Sequence, residues 1–115
     1  MNDHDDKFWE ALDELTSSCE LIIDRPKGSA HPRYPELIFP LDYGYLRDTA
    51  SMDGSGIDIW RGTSVKQSVC GIVVIVDMNK RDSEIKILYA CTPTEIETVH
   101  QFHNTWLSHG YLIRR

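Results

Sequence analysis

The sequence predicts an α+β domain in which a compact β-barrel or curled sheet is packed with helices. Three observations carry this: several short segments rich in β-branched residues with irregular connections, an amphipathic segment over residues 3–18, and a helix-start pattern at Thr92-Pro93-Thr94-Glu95. At 115 residues the chain is long enough for one hydrophobic core and too short for two, so residues 1–115 are read as a single domain.

Residues 3–18 place Phe8, Trp9, Leu12 and Leu15 at helical spacing with charges between them, the pattern of a helix that covers one side of the domain. Leu21-Ile22-Ile23 follows as a short strand, ended by Pro26 and Gly28. The next stretch, with Pro32, Pro35 and Pro40, is read as a loop. Long ordered loops in compact domains are commonly functional, which makes Lys27, Arg33, Tyr43 and Tyr45 candidate ligand-facing groups. Ile57 to Trp60, Cys70 to Val76 and Ile85 to Ala90 are strands by their β-branched content, and the middle one requires burial on both faces or nearly so. The sheet or barrel thus spans about residues 20–91. Thr92 then supplies an N-cap, Pro93 the first helical position and Glu95 the third, predicting a helix over about 93–108. Gly110 ends it before a last strand, Tyr111-Leu112-Ile113.

The formal net charge of −6 puts no general attraction behind binding to nucleic acid or an anionic membrane, although a local basic patch could hold a small anion. The first residues are acidic where a secretory signal is basic, and no apolar run reaches membrane-spanning length, so a soluble, cytoplasmic protein is expected. Cys19, Cys70 and Cys91 are widely spaced and form no Cys-x-x-Cys pair, which indicates reduced thiols and neither a disulfide framework nor a zinc site.

The segment Met52-Asp53-Gly54-Ser55-Gly56-Ile57-Asp58-Ile59-Trp60 carries the most chemistry. Two carboxylates five positions apart flank glycines that can fold the backbone back, and oxygen-only ligands favour Mg²⁺, Mn²⁺ or Ca²⁺. Alone, such a turn is more often hairpin chemistry. Asp77 at a strand end is by itself a common turn-former, Lys86 between Ile85 and Ile87 reads as a solvent face, and Tyr43 and Tyr45 as core aromatics with wet hydroxyls. His100 and His103 lie on the apolar stripe with Ile96, Val99, Phe102 and Trp106 and read as packing histidines rather than metal ligands.

Four segments, in this order over residues 20–103, resemble the soluble, family I inorganic pyrophosphatases. They are Ile23-Asp24-Arg25-Pro26-Lys27-Gly28-Ser29, Phe39-Pro40-Leu41-Asp42-Tyr43-Gly44-Tyr45-Leu46, Met52 to Ile59, and Gly71 to Asp77 followed by Glu84-Ile85-Lys86. The resemblance implies an OB-like five-stranded small barrel flanked by the two helices, and Mg²⁺-dependent hydrolysis of pyrophosphate or a related phosphoanhydride. It implies Asp53, Asp58, Asp77 and Glu84 as metal-site residues, with Asp24 as a further acidic group near them. Tyr43 and Lys86 take the places of phosphate-contacting groups, Arg33 that of a phosphate-binding lysine, and Lys27 a variable position. Bacterial members assemble into oligomers, so a homo-oligomer is expected.

The pattern also departs from the family. Ser55 stands where the family carries a middle aspartate credited with orienting or deprotonating the attacking water, and serine is no general base at neutral pH. Phe39 replaces a tyrosine, Pro35 lies where an acidic residue is expected, and an arginine-bearing hairpin and a C-terminal Tyr-Lys pair are missing. Arg47, Arg114 or Arg115 could restore positive charge, and Asp48, Asp82 or His31 could act as substitute base. Two other functions stay open: a phosphate- or nucleotide-binding module of the same fold, and an OB-like binder of single-stranded nucleic acid, against which the net charge argues. A structural or regulatory subunit docking through Phe8 and Trp9 is a further alternative.

Overall fold

The apolar run at residues 70–76 becomes the spine of a six-stranded mixed sheet. The computed structural model describes residues 3–52, 54–105 and 108–115. Its elements are α1 (Asp3–Ser18), β1 (Leu21–Arg25), β2 (Asp42–Leu46), β3 (Asp58–Arg61), β4 (Val69–Asp77), β5 (Asp82–Tyr89), α2 (Pro93–Phe102) and β6 (Ser108–Arg114). The strand order is β1-β2-β3-β5-β4-β6, antiparallel throughout except for the parallel pair β3 and β5.

Strand alternation splits the apolar residues between two cores, one on each face. On one face Val73, Ile75, Trp60 and Leu88 pack with Ile96 and Val99 of α2. On the other, Ile72, Ile59, Ile87 and Leu46 pack with Trp9 of α1, as its helical spacing predicts. Each fully buried Ile or Leu contributes roughly 1.5–3 kcal/mol, so both helices are held chiefly by these faces. A bulge between Val69 and Gly71 lets Val69 join the α1 core while Cys70 packs toward α2.

Three expectations need correction. The sheet has six strands rather than five, because residues 42–46, read as part of a loop, form β2 between β1 and β3. Pro40 and Gly44 disguised it, yet Gly44 is required there: a Cβ would come within 1.7 Å of the Ile22 carbonyl oxygen. Second, β1 and β6 are free edges among the described residues, so the sheet is open rather than closed into a barrel. Third, α2 stops at Phe102 and not near residue 108. Asn104 turns the chain by bonding through its side chain to the His100 and Gly110 carbonyls. Trp106 lies outside the described residues. The capping box at Thr92 and Glu95 is formed as expected.

The rest of the proline-rich stretch is ordered as an arm folded back on itself. Gly28 donates to Phe39 O, Phe39 to Ser29 O and His31 to Leu37 O, with a bridge between Ala30 and Ile38. Among the described residues no helix is long and apolar enough to cross a membrane.

Candidate functional site

The parallel register that sets Ile59 beside Ile87 also sets Asp58 beside Lys86, and Glu84 shares the Lys86 face two residues earlier on β5. Tyr43 reaches the same point from β2, where it pairs with Trp60. The Lys86 ammonium accordingly donates to Asp58 Oδ2 at 2.7 Å, Glu84 Oε1 at 2.6 Å and the Tyr43 hydroxyl at 2.7 Å. All three of its donors are used. Lys86 is only 7% exposed. Burial pulls its pKa down, but the facing Tyr43, Asp58 and Glu84 outweigh that and the net direction is up. Burial also raises the Tyr43 pKa, against the pull of Lys86. Both stay protonated at neutral pH. A buried charge of this kind is tolerated only when paired and fully hydrogen-bonded, which this one is.

Beneath the network lies an aromatic floor. Phe39 packs against Tyr43, Trp60 and Phe102 with centroids 5.4, 5.8 and 5.5 Å away, and stacks on His31 at 5.9 Å. The Trp60 indole donates to His103 Nε2 at 2.9 Å. Burial, then Lys86 and His100, depresses the His103 pKa to about 3, so the ring is neutral. His100 bonds the Gly110 carbonyl through its own Nε2, and both helical histidines are thus engaged within the protein.

A cavity of about 690 Å³ opens over this floor. It is bounded by the arm (His31, Arg33, Tyr34), by β2, β3 and β5 (Tyr43, Asp58, Glu84, Lys86), and by the β4–β5 hairpin (Asp77, Asn79, Lys80, Asp82). Arg33, Tyr43, Asp58, Asp77, Glu84 and Lys86, all candidates in the sequence, therefore meet at one place. Asp77 ends β4 opposite Asp82, and its Oδ1 accepts the backbone N–H groups of Asn79 and Lys80 at 2.9 Å. It is a turn-former and a cavity residue at once. Arg33, exposed on the arm, and Lys80 stand at the rim.

Other candidates are not brought to the cavity. Lys27 is exposed at the base of the arm, where its backbone N–H donates to Asp42. Asp24 is exposed at the β1 irregularity. Ser55 is exposed in the turn before β3, its carbonyl accepting from Ser51. Asp53 lies outside the described residues. Arg47, Arg114 and Arg115 pair with Glu20, Glu97 and Asp13, away from the cavity. Asp48 is exposed in a turn and does not line it.

Of the substitute bases, His31 and Asp82 do line it. His31 Nδ1 accepts the backbone N–H groups of Arg33 and Tyr34, which places the ring proton on Nε2. Burial first, with Arg25, Lys80 and Arg33 adding, lowers its pKa. With Nδ1 already accepting two backbone N–H groups, His31 has no free ring nitrogen to serve as a base. The role of Trp60 and His103 was not visible in the sequence, because their bond joins residues 43 positions apart. In the sequence Lys80 was signalled only by its closeness to Asp77.

No protein-family model matches the chain, and no curated protein does. Among solved structures, one described as an inorganic phosphatase from Anaplasma phagocytophilum is similar in fold, with a TM-score of 0.58 and 11% identity, over 82% of this chain and 81% of that one.

Proposed function

We propose that the chain hydrolyses inorganic pyrophosphate or a related small phosphoanhydride in this cavity, on a curved sheet related to an OB-like barrel. The observation that carries the reading is the convergence of Arg33, Tyr43, Asp58, Asp77, Glu84 and Lys86, drawn from four strands and one loop.

Charge decides how such an anion could be held. Four carboxylates (Asp58, Asp77, Asp82, Glu84) face three cations (Arg33, Lys80, Lys86), so a bare diphosphate is repelled unless hard divalent ions enter with it. The donor set fits Mg²⁺, with Mn²⁺ as a substitute. Asp58, Glu84 and Asp77 each commit one oxygen to the protein. Among the described residues no group of three His, Cys, Asp or Glu side chains is placed to hold an ion, so any Mg²⁺ would be held by one or two of these carboxylates together with substrate phosphates. Asp58, Asp77 and Glu84 would hold the ions; Asp53, which the resemblance adds to this set, lies outside the described residues. When bound, Mg²⁺ offsets phosphate charge and acidifies a water.

The chain's own residues do the rest. Arg33 and Lys80, with no ion pair among the described residues, orient the terminal phosphoryl group from the rim. Lys86 reaches a phosphate oxygen by exchanging Glu84 for it, and Tyr43 keeps the ammonium aligned. Asp82, whose carboxylate has no hydrogen-bond partner among the described residues, takes the proton of the attacking water in place of the aspartate that Ser55 replaces. A new P–O bond forms, the bridging P–O bond breaks, and two phosphates result. A homo-oligomeric, cytoplasmic enzyme belongs with this reading.

A phosphate-release screen across phosphoanhydrides and monoesters, with Mg²⁺ and Mn²⁺ varied, tests it: release from anhydrides alone is expected. A second reading, a phosphate- or nucleotide-binding module, is favoured by the full use of the Lys86 donors and by the accessible His31, Tyr34 and Phe102 rings. Metal-dependent binding of a nucleotide without turnover supports that alternative. Metal-free, salt-sensitive oligonucleotide binding supports the nucleic-acid reading instead.

A further inference from the structure

Two of the three cysteines, twenty-one positions apart in sequence, meet at the opposite end of α2 from the candidate active site. Cys70 sits at the β4 bulge and Cys91 follows β5, just past Ala90 in a left-handed conformation. Val69 pairs with Tyr89 across the strands, which brings Cys70 and Cys91 to the same corner. Both line a cavity of about 300 Å³ together with Lys66 and Arg115, and Cys70 packs against the core cluster that contains Cys91. The thiols also donate to the strand carbonyls of Leu88 and Tyr89. Cys19, by contrast, belongs to the α1 core on the other face of the sheet.

We infer that Cys70 and Cys91 form a two-thiol oxidation site that reduces hydroperoxides by closing a reversible disulfide. Cys70 is the attacking group. It is half-buried and cavity-facing, and each thiol is the largest influence on the other: Cys91 lowers the Cys70 pKa while Cys70 raises that of Cys91. Burial, and after it Glu95, oppose Cys70 ionisation. Cys91, buried at 7% exposure, is the resolving thiol.

The Cys70 thiolate attacks one peroxide oxygen. An S–O bond forms, the O–O bond breaks, and the departing oxygen takes a proton to leave as water (or an alcohol). The Cys91 sulfur then attacks the Cys70 sulfenic acid. The S–S bond forms, the S–O bond breaks, and hydroxide leaves with the Cys91 proton as a second water. Two thiols lose two electrons and the peroxide gains them.

The test is peptide mapping of the reduced full chain after a stoichiometric dose of hydrogen peroxide, with and without later dithiol reductant. The expected product is a single intramolecular crosslink joining the Cys70 and Cys91 peptides, loss of two hydrogens in intact mass, an untouched Cys19, and full reversal by the reductant. In Cys91→Ser, oxidation stops at a Cys70 sulfenic acid that a dimedone-type reagent traps. Peroxide consumption falls about tenfold or more in Cys70→Ser. The wild-type map needs no variant to fold. Oxidation led by Cys19, a crosslink between chains, or Cys70 reacting no faster than Cys19 overturns the inference, and so does no oxidation at all.

Discussion

Lys86 Nζ lies 2.7 Å from Asp58 Oδ2, and this contact joins two parallel strands in the least exposed part of the candidate site. With Glu84 and Tyr43 it makes a network whose members depend on one another. The side chains of Lys86, Asp58 and Glu84 are 9, 24 and 18% exposed.

Removing the cation leaves two neighbouring carboxylates without their neutralising partner. Lys86→Met is expected to cost about 3–5 kcal/mol of unfolding free energy in urea and to end phosphate release. A loss under about 1 kcal/mol would show the pairs to be solvated and weak.

Asp77 separates structural from chemical roles. Asp77→Asn keeps the acceptor for the Asn79 and Lys80 N–H groups but removes the charge. Unfolding free energy should stay within about 0.5 kcal/mol of wild type while metal-dependent phosphate release falls by an order of magnitude or more. Unchanged release would reduce Asp77 to hairpin chemistry.

The neutral His103 gives the fold an acid-sensitive point. Its pKa is about 3 in the folded protein against 6.5 for a free histidine, so the unfolded chain binds the extra proton between those values. Stability is therefore fully present above pH 6.5 and declines toward pH 3, by about 1.4 kcal/mol per pH unit within that window. His31, also shifted down, adds in the same sense. Denaturant unfolding at stepped pH should show this slope, and His103→Gln, which keeps an acceptor for the Trp60 indole, should flatten most of it between pH 6.5 and 5.

Gly44 holds β2 against β1. Gly44→Ala is expected to destabilise by about 3 kcal/mol, since its Cβ would meet backbone atoms of Ile22 and Ile23 that cannot rotate away. Hydrogen exchange should show the loss concentrated in β1 and β2.

What was legible in the sequence follows from how local each signal is. The α1 stripe, the run that became β4 and the capping box at Thr92 are read within a few residues, and each formed. β2 was hidden because its determinants are not local: Gly44 is dictated by the Ile22 carbonyl, and strand identity by neighbours on both sides. In the site, Asp58 could be listed from its spacing to Asp53, and Asp77, Glu84 and Lys86 only from the family resemblance, but the closure of Glu84 and Asp58 onto one ammonium depends on the parallel β3–β5 register. The Trp60–His103 bond and the meeting of Cys70 with Cys91 leave no sequence signature at all, since both arise from the way distant strands and α2 are packed.

The most direct measurement is phosphate release from pyrophosphate by the purified chain in Mg²⁺, beside Asp58→Asn shown by circular dichroism to remain folded. Release by the wild type and its loss by at least two orders of magnitude in the variant is the predicted result. A folded wild type that liberates no phosphate with Mg²⁺ or Mn²⁺, or a variant that matches it, contradicts the account.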